Sequence, residues 1–159
     1  MIQLSNEVKI LHLKVDGTNF VLAAGTSDVN SDVVDLTLHG NPKTALAVMT
    51  VGILAAGSSV TMKAAHSDNG TDFEDIEASG QVTTSDATDD DKMMGLEISV
   101  PLKRYLRIPT IRGDGGNSTI ESLHLILGGV RTEPVNQAVT AGQFVRQPKV
   151  LASPKSGTA

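Results

Sequence analysis

Turn signals cut this chain at short intervals, and what lies between them alternates. Asp16-Gly17, Gly40-Asn41-Pro42, Asn69-Gly70, the run from Asp86 to Asp91 and the run from Gly113 to Asn117 all combine residues that favour tight turns. In VKILHLKV, residues 8–15, Leu11, Leu13 and Val15 alternate with His12 and Lys14. In VVDLTLH, residues 33–39, Val34, Leu36 and Leu38 alternate with Asp35 and Thr37. A period of two is what a strand with one buried face produces. TALAVMTVGIL, residues 44–54, is apolar on both faces. Its β-branched content and the Gly57-Ser58-Ser59 break predict a buried strand leading through a hairpin to residues 60–66. Further strands are expected at 80–84, 94–100, 103–112 and 119–127, with Pro109 marking an edge or a bulge. Short strands at this spacing, without a βαβ rhythm, predict an all-β fold: an antiparallel β-sandwich or jelly roll.

The 159 residues suit one domain plus an arm. Aromatics are only 3%, so the core must be aliphatic and stacked-ring platforms for sugars or bases are disfavoured. There is no cysteine, which excludes a disulfide scaffold, a thiol nucleophile and a cysteine zinc site. MIQLSNEVKI lacks the basic-then-apolar pattern of a signal peptide, so none is expected, and no apolar run is long enough for a membrane helix. The net charge of −5 is uneven: residues 1–130 hold 17 acidic and 9 basic side chains, and residues 131–159 hold 4 basic against 1 acidic. An acidic body argues against nucleic acid as a partner. After Gly128-Gly129 prolines and small residues dominate, so the domain is expected over 1–130 and an extended C-terminal arm over 131–159. That arm carries Val135, Val139, Phe144, Val145, Val150 and Leu151, more apolar residues than a linker needs.

No motif points to catalysis. HSDNGTDFEDI, residues 66–76, groups Asp68, Asp72, Glu74 and Asp75 around Gly70, but calcium-loop spacing is absent. It reads as a hairpin turn from which Phe73 returns to the core. Asp86, Asp89, Asp90 and Asp91 form a second carboxylate cluster without a shaping glycine, and a solvated loop is expected there. His12, His39, His66 and His124 are scattered, with no paired metal-ligand spacing. There is no nucleophile elbow, phosphate loop or dinucleotide fingerprint, and no cofactor or metal is expected. Arg112-Gly113-Asp114 spells an adhesion tripeptide but sits in turn chemistry. The most concentrated feature is RYLRI, where Arg104 and Arg107 flank Tyr105. Arginines there can form a cross-strand ion pair, a subunit or shell contact, or both.

The segments His66 to Ile76, Pro101 to Gly113 and Gly128 to Pro134 resemble those of tailed-bacteriophage capsid decoration, or cement, proteins built on a jelly-roll-like β-sandwich. Where such proteins carry a tryptophan after the turn, this chain has Phe73. The Ser67–Gly70 turn and the Arg104–Arg107 strand also resemble discoidin-type galactose-binding sandwiches, over shorter stretches. The first resemblance implies a non-enzymatic structural virion protein, made in the host bacterial cytoplasm. It would bind the major capsid protein on the outside of the shell as a homo-oligomer, a trimer before a dimer. Its alternatives are a glycan-binding β-sandwich module or a tail or neck component. The contact residues expected are Arg104, Arg107, Arg131, Phe144 and Arg146, the last three being the largest anchoring side chains of the arm. An arm that orders on a partner should turn from protease-sensitive to resistant on assembly; limited proteolysis of the purified chain and of assembled particles compares the two states.

Overall fold

The computed structural model describes residues 8–84, 89–99, 103–113 and 116–129. In chain order the strands are β1 (Val8–His12), β2 (Leu22–Gly25), β3 (Val29–Asn30), β4 (Val34–Asp35), β5 (Thr44–Leu54), β6 (Ser59–Met62) and β7 (Ala65–Ser67). They continue as β8 (Glu74–Asp75), β9 (Gln81–Thr84), β10 (Met93–Ser99), β11 (Tyr105–Arg107), β12 (Pro109–Arg112) and β13 (Ser118–Gly128). All described pairings are antiparallel, and the fold is the expected β-sandwich of jelly-roll type.

The first layer is a five-stranded sheet ordered β1-β13-β5-β10, with β2 continuing the β1 side of β13. Its inward face is a comb of large and small side chains. Leu123, Leu125 and Leu127 on β13 oppose Met49, Ala47 and Ala45 on β5, all with no exposed surface. The phase of β13 changes between Ile120 and Leu123, both fully buried. A bulge at Glu121 absorbs the extra residue, because Ile120 pairs with Val51 and Ser122 with Thr50.

The second layer consists of four strand paths, each broken in the middle. One path is β3 then β4, the next β12 with β11, then β6 with β7, and last β9 with β8. Of the edge or bulge expected at Pro109, the edge is not found: the proline sits at the break of an interior path, as the first residue of β12. There a proline needs no ladder donor, and its carbonyl still accepts from the Lys63 amide at 2.9 Å. Two buried serines carry the hydrogen bonding across the breaks. The Ser31 hydroxyl accepts from the Ile108 amide at 2.9 Å, and the Ser79 hydroxyl accepts from the Ala64 amide at 3.1 Å.

The core between the layers contains no aromatic ring among the described residues. Its fully buried members include Met49, Met62, Leu106, Ile108, Ile120 and Leu125.

Several local expectations change: the single strands expected at 60–66 and 103–112 are each split between two sheets, as β6 with β7 and β11 with β12. Residues 33–39 are not one strand: β4 stops at Asp35 and Leu36–His39 form a 3-10 turn. The Asp35 carboxylate caps that turn by accepting from the Thr37 amide (3.0 Å) and hydroxyl (2.6 Å), and Gly40 closes it at φ 77°. Leu36 stays buried while Leu38 swings out to 75% exposure. Nor do β5 and β6 form a hairpin. The turn at Ala55–Ser58 carries the chain from the first layer to the second, so the two strands belong to different sheets.

Arg112 ties the layers at one end. Its side chain donates to the carbonyls of Ser27 (2.8 Å), Ala23 (3.0 Å) and Ser118 (3.1 Å), and its amide donates to the Asp28 carboxylate (2.9 Å). A Cβ on Gly25 would lie 2.9 Å from this guanidinium, so the position needs a glycine. The arginine of the adhesion tripeptide is thus 6% exposed and used inside the fold. Replacing it by alanine strands three carbonyls, so Arg112→Ala should lower stability by about 3 kcal/mol in urea unfolding, and Arg112→Lys should recover less than half of the loss.

Candidate functional site

The acidic stretch that stands out in the sequence folds as the hairpin turn between β7 and β8, where His66 pairs with Glu74 and Ala65 with Asp75. Asn69 organises it. Its side-chain oxygen accepts from the amides of Thr71 and Asp72, each at 2.9 Å, and its amide donates to the Asp72 carboxylate at 2.7 Å. The Ser67 hydroxyl accepts from the amides of Asn69 and Gly70, and Gly70 takes φ 80° directly over the Tyr105 ring. The remaining carboxylates are held by lysines. Lys103 reaches Glu74 at 2.7 Å and Asp68 at 3.7 Å, and Lys63 reaches Asp75 at 3.2 Å. Phe73 does not join the core; it is half-buried, with the Arg107 guanidinium 4.2 Å above its ring.

Arg104 and Arg107 therefore both have partners within the chain. Arg104 grips Asp35 on the neighbouring strand through Nε and Nη2, at 2.8 Å for the shorter contact, and lies 4.8 Å over Tyr105. That hydrogen bond, followed by the one from Thr37, holds the Asp35 carboxyl well below the usual carboxylate range. Half of the Arg104 side chain remains in solvent, with a relative exposure of 51%. Arg131, Phe144 and Arg146, like the whole arm, lie outside the described residues. Of the second carboxylate cluster, Asp86 also lies outside them, Asp89 pairs with Lys92, and Asp90 accepts from the Leu54 amide at 2.9 Å. Among the described residues no group of acidic and histidine side chains has the arrangement to hold a metal ion.

The surface that emerges instead is the outward face of the five-stranded sheet. Pairing register puts Val8, Ile10, Ile126, Leu46 and Val48 on it, all half-buried, with Met93 exposed at its rim. The outward face of a solvated antiparallel sheet ordinarily alternates to polar residues. Here the central rows are aliphatic, and Glu97 is the charged side chain that register places among them. Two histidines that look unrelated in sequence meet there. His12 and His124 are cross-strand partners, stacked with ring centroids 4.6 Å apart, and Phe20 lies 4.5 Å from His12. A signal for this pair existed: both sit in the triplet Leu-His-Leu, whose leucines face the core.

Beside this face, β1 and the 3-10 turn enclose a cleft of about 300 Å³. Val33, Leu38, Lys9, Asp32 and His39 rim it. The Nδ1 of His39 is buried there and has no hydrogen-bond partner. The cleft offers apolar contact area and a few charges at its rim.

Burial lowers the pKa of His12, His39 and His124, with Lys9 adding to the effect at His39 and His12 adding to it at His124. The folded chain thus keeps these rings neutral at pH values where the unfolded chain protonates them. Thermal stability should fall as pH drops through 6.5, the ordinary histidine value, and level off once the folded rings also take protons. It should fall again below 3.8, where the unfolded chain begins to protonate Asp35 while the folded chain, with Arg104 and Thr37 on that carboxylate, keeps it charged. Melting curves between pH 8 and pH 3 check both steps, and His12→Gln with His124→Gln should shrink the upper step only.

No protein-family model matches the chain, and neither does any curated protein sequence. Among solved structures, the PBSX exported protein XepA aligns with the whole of this chain at TM-score 0.54 and 14% identity; the chain spans 44% of its length. The C-terminal family 22 carbohydrate-binding module of Clostridium thermocellum Xyn10B aligns over 84% of this chain and 100% of its own, at TM-score 0.45 and 12% identity. The xylan-binding module CBM15 aligns over 79% and 94%, at TM-score 0.38 and 13% identity. At such identities the likeness to XepA is one of fold.

Proposed function

We propose that this chain is a structural, non-enzymatic virion protein that binds the outside of a phage capsid as a homo-oligomer and stabilises the shell. The observation that carries the reading is the aliphatic outward face of the five-stranded sheet, centred on Leu46, Val48 and Ile126. Such a face favours burial against another protein, at roughly 25 cal/mol for each Å² of apolar surface removed from water. A shell offers many equivalent positions, so modest contacts repeated around a lattice sum to firm holding. The other conspicuous side chains are already engaged at home: the turn carboxylates by Lys63, Lys103 and Asn69, Arg104 by Asp35, and Arg112 by three carbonyls. Arg104 keeps enough exposed surface to serve as a contact as well.

The rival reading, a glycan-binding module, wants flat rings to stack on sugars. The rings at this face are the His12–His124 pair, which stack on each other, and Phe20, tilted against His12. Quantitative mass spectrometry of purified virions of the source, against the major shell protein, separates the readings. A lattice-following protein should number on the order of hundreds of copies per particle. A handful would move the chain to a tail or neck, and none, together with clear hits on a glycan array, would overturn the proposal. Val48→Asp, which adds a charge to the aliphatic face without touching the core, should leave the fold intact and cut binding to undecorated shells by at least about tenfold.

A further inference from the structure

The five-stranded sheet ends in a strand that lacks the usual protection. β10 pairs with β5 over its full seven residues, from Met93 opposite Thr50 to Ser99 opposite Thr44, and among the described residues no strand pairs with its other side. Exposed edges are ordinarily kept short or blunted by proline, lysine or a bulge. The flanking strands of the second layer are short: β3, β4 and β8 have two residues each, and β9 has four. β10, MMGLEIS, has no proline, no lysine and an unbroken register, and presents a ladder about 24 Å long.

We infer that β10 pairs antiparallel with β10 of a second copy of this chain, across a two-fold axis at Leu96. Two requirements select the register. Core-facing side chains must oppose core-facing ones, which puts the axis on a residue, and the longest overlaps are those centred on Gly95, Leu96 or Glu97. Centring on Glu97 sets like charges directly opposite each other. Centring on Gly95 pushes Ile98 and Ser99 past the end of the partner strand, against Lys92 and Asp91. Centring on Leu96 uses all seven residues. Leu96 meets its own counterpart, Met94 meets Ile98, Met93 meets Ser99, and Glu97 meets Gly95. The last pair explains the glycine. A Cβ built on Gly95 touches nothing within 4 Å, so the space above it is open to the Glu97 side chain of the other copy. Leu96 and Ile98, 7% and 6% exposed at the rim of the core, become interior to a continuous sheet.

The pairing deepens the assembly reading and rests on it. It joins two aliphatic outward faces into one platform, and two linked faces hold a lattice more firmly than one. Its test is independent of any particle. Sedimentation velocity of the purified full chain over a concentration series should show a dimer. Gly95→Glu opposes like charges twice in each dimer and should weaken association at least tenfold, with an unchanged circular dichroism spectrum. Gly95→Glu with Glu97→Lys should restore the dimer. The absence of cysteine gives a second readout: mixing Gly95→Cys and Glu97→Cys proteins should yield a disulfide-linked dimer. Met93→Cys alone should not, its counterpart lying about 20 Å away. A monomer, a trimer, or a dimer indifferent to Gly95→Glu overturns the pairing. A monomer that still coats particles would sink the pairing and leave the assembly reading standing; a dimer absent from particles would do the reverse.

Discussion

The pairing of β5 with β13 is the contact on which the rest of the molecule depends. Each strand has eleven residues, and each lies at the centre of the first layer. Leucines on one strand oppose alanines and Met49 on the other, which lets the ladder pack flat against the second layer with no ring among the described core residues. The same pairing sets what faces outward. Once Leu123, Leu125 and Leu127 point in, His124 and Ile126 must point out, and Leu46 and Val48 join them by register. A core made of aliphatic combs thus leaves an aliphatic outer face as its by-product, because β5 is apolar at every position from Ala45 to Met49.

That consequence ties the fold to the proposed role. A strand apolar on both faces is normally buried on both. Here only one side is covered within the described residues, and the other is the face on which the proposed role rests. Apart from Glu97, the charged clusters described above sit elsewhere and are largely satisfied: the β7–β8 turn is locked by Asn69 and two lysines, and the Asp35–Arg104 pair pins the 3-10 turn to β11. These clusters are structural fasteners on the second layer, and the surface proposed for interaction lies on the first.

The second layer shows how local chemistry shapes a sheet that alternation alone cannot describe. Each of its four paths breaks, and Pro109 and the hydroxyls of Ser31 and Ser79 lie at the breaks, while the Asp35 cap ends β4. A bent layer can curve over the flatter one, and the buried serines keep the backbone groups at the bends paired.

The all-β class, the aliphatic core, the hairpin at Asn69-Gly70 and most strand positions were legible in the chain itself. Their causes are local: period-two alternation, turn residues and the scarcity of rings act within a few residues of where they stand. The short β2 and β3 carry no such alternation, so nothing local marks them as strands. The 3-10 turn at Leu36–His39 was hidden because Leu36 and Leu38 mimic a strand while the Asp35 cap decides otherwise. Tertiary structure alone decided that His12 stacks on His124, that Arg104 meets Asp35, that Arg112 is interior, and that β10 is left as the long edge. Each of these depends on strand order and register, which join residues far apart in the chain, and alternation specifies a strand's faces without naming its neighbours.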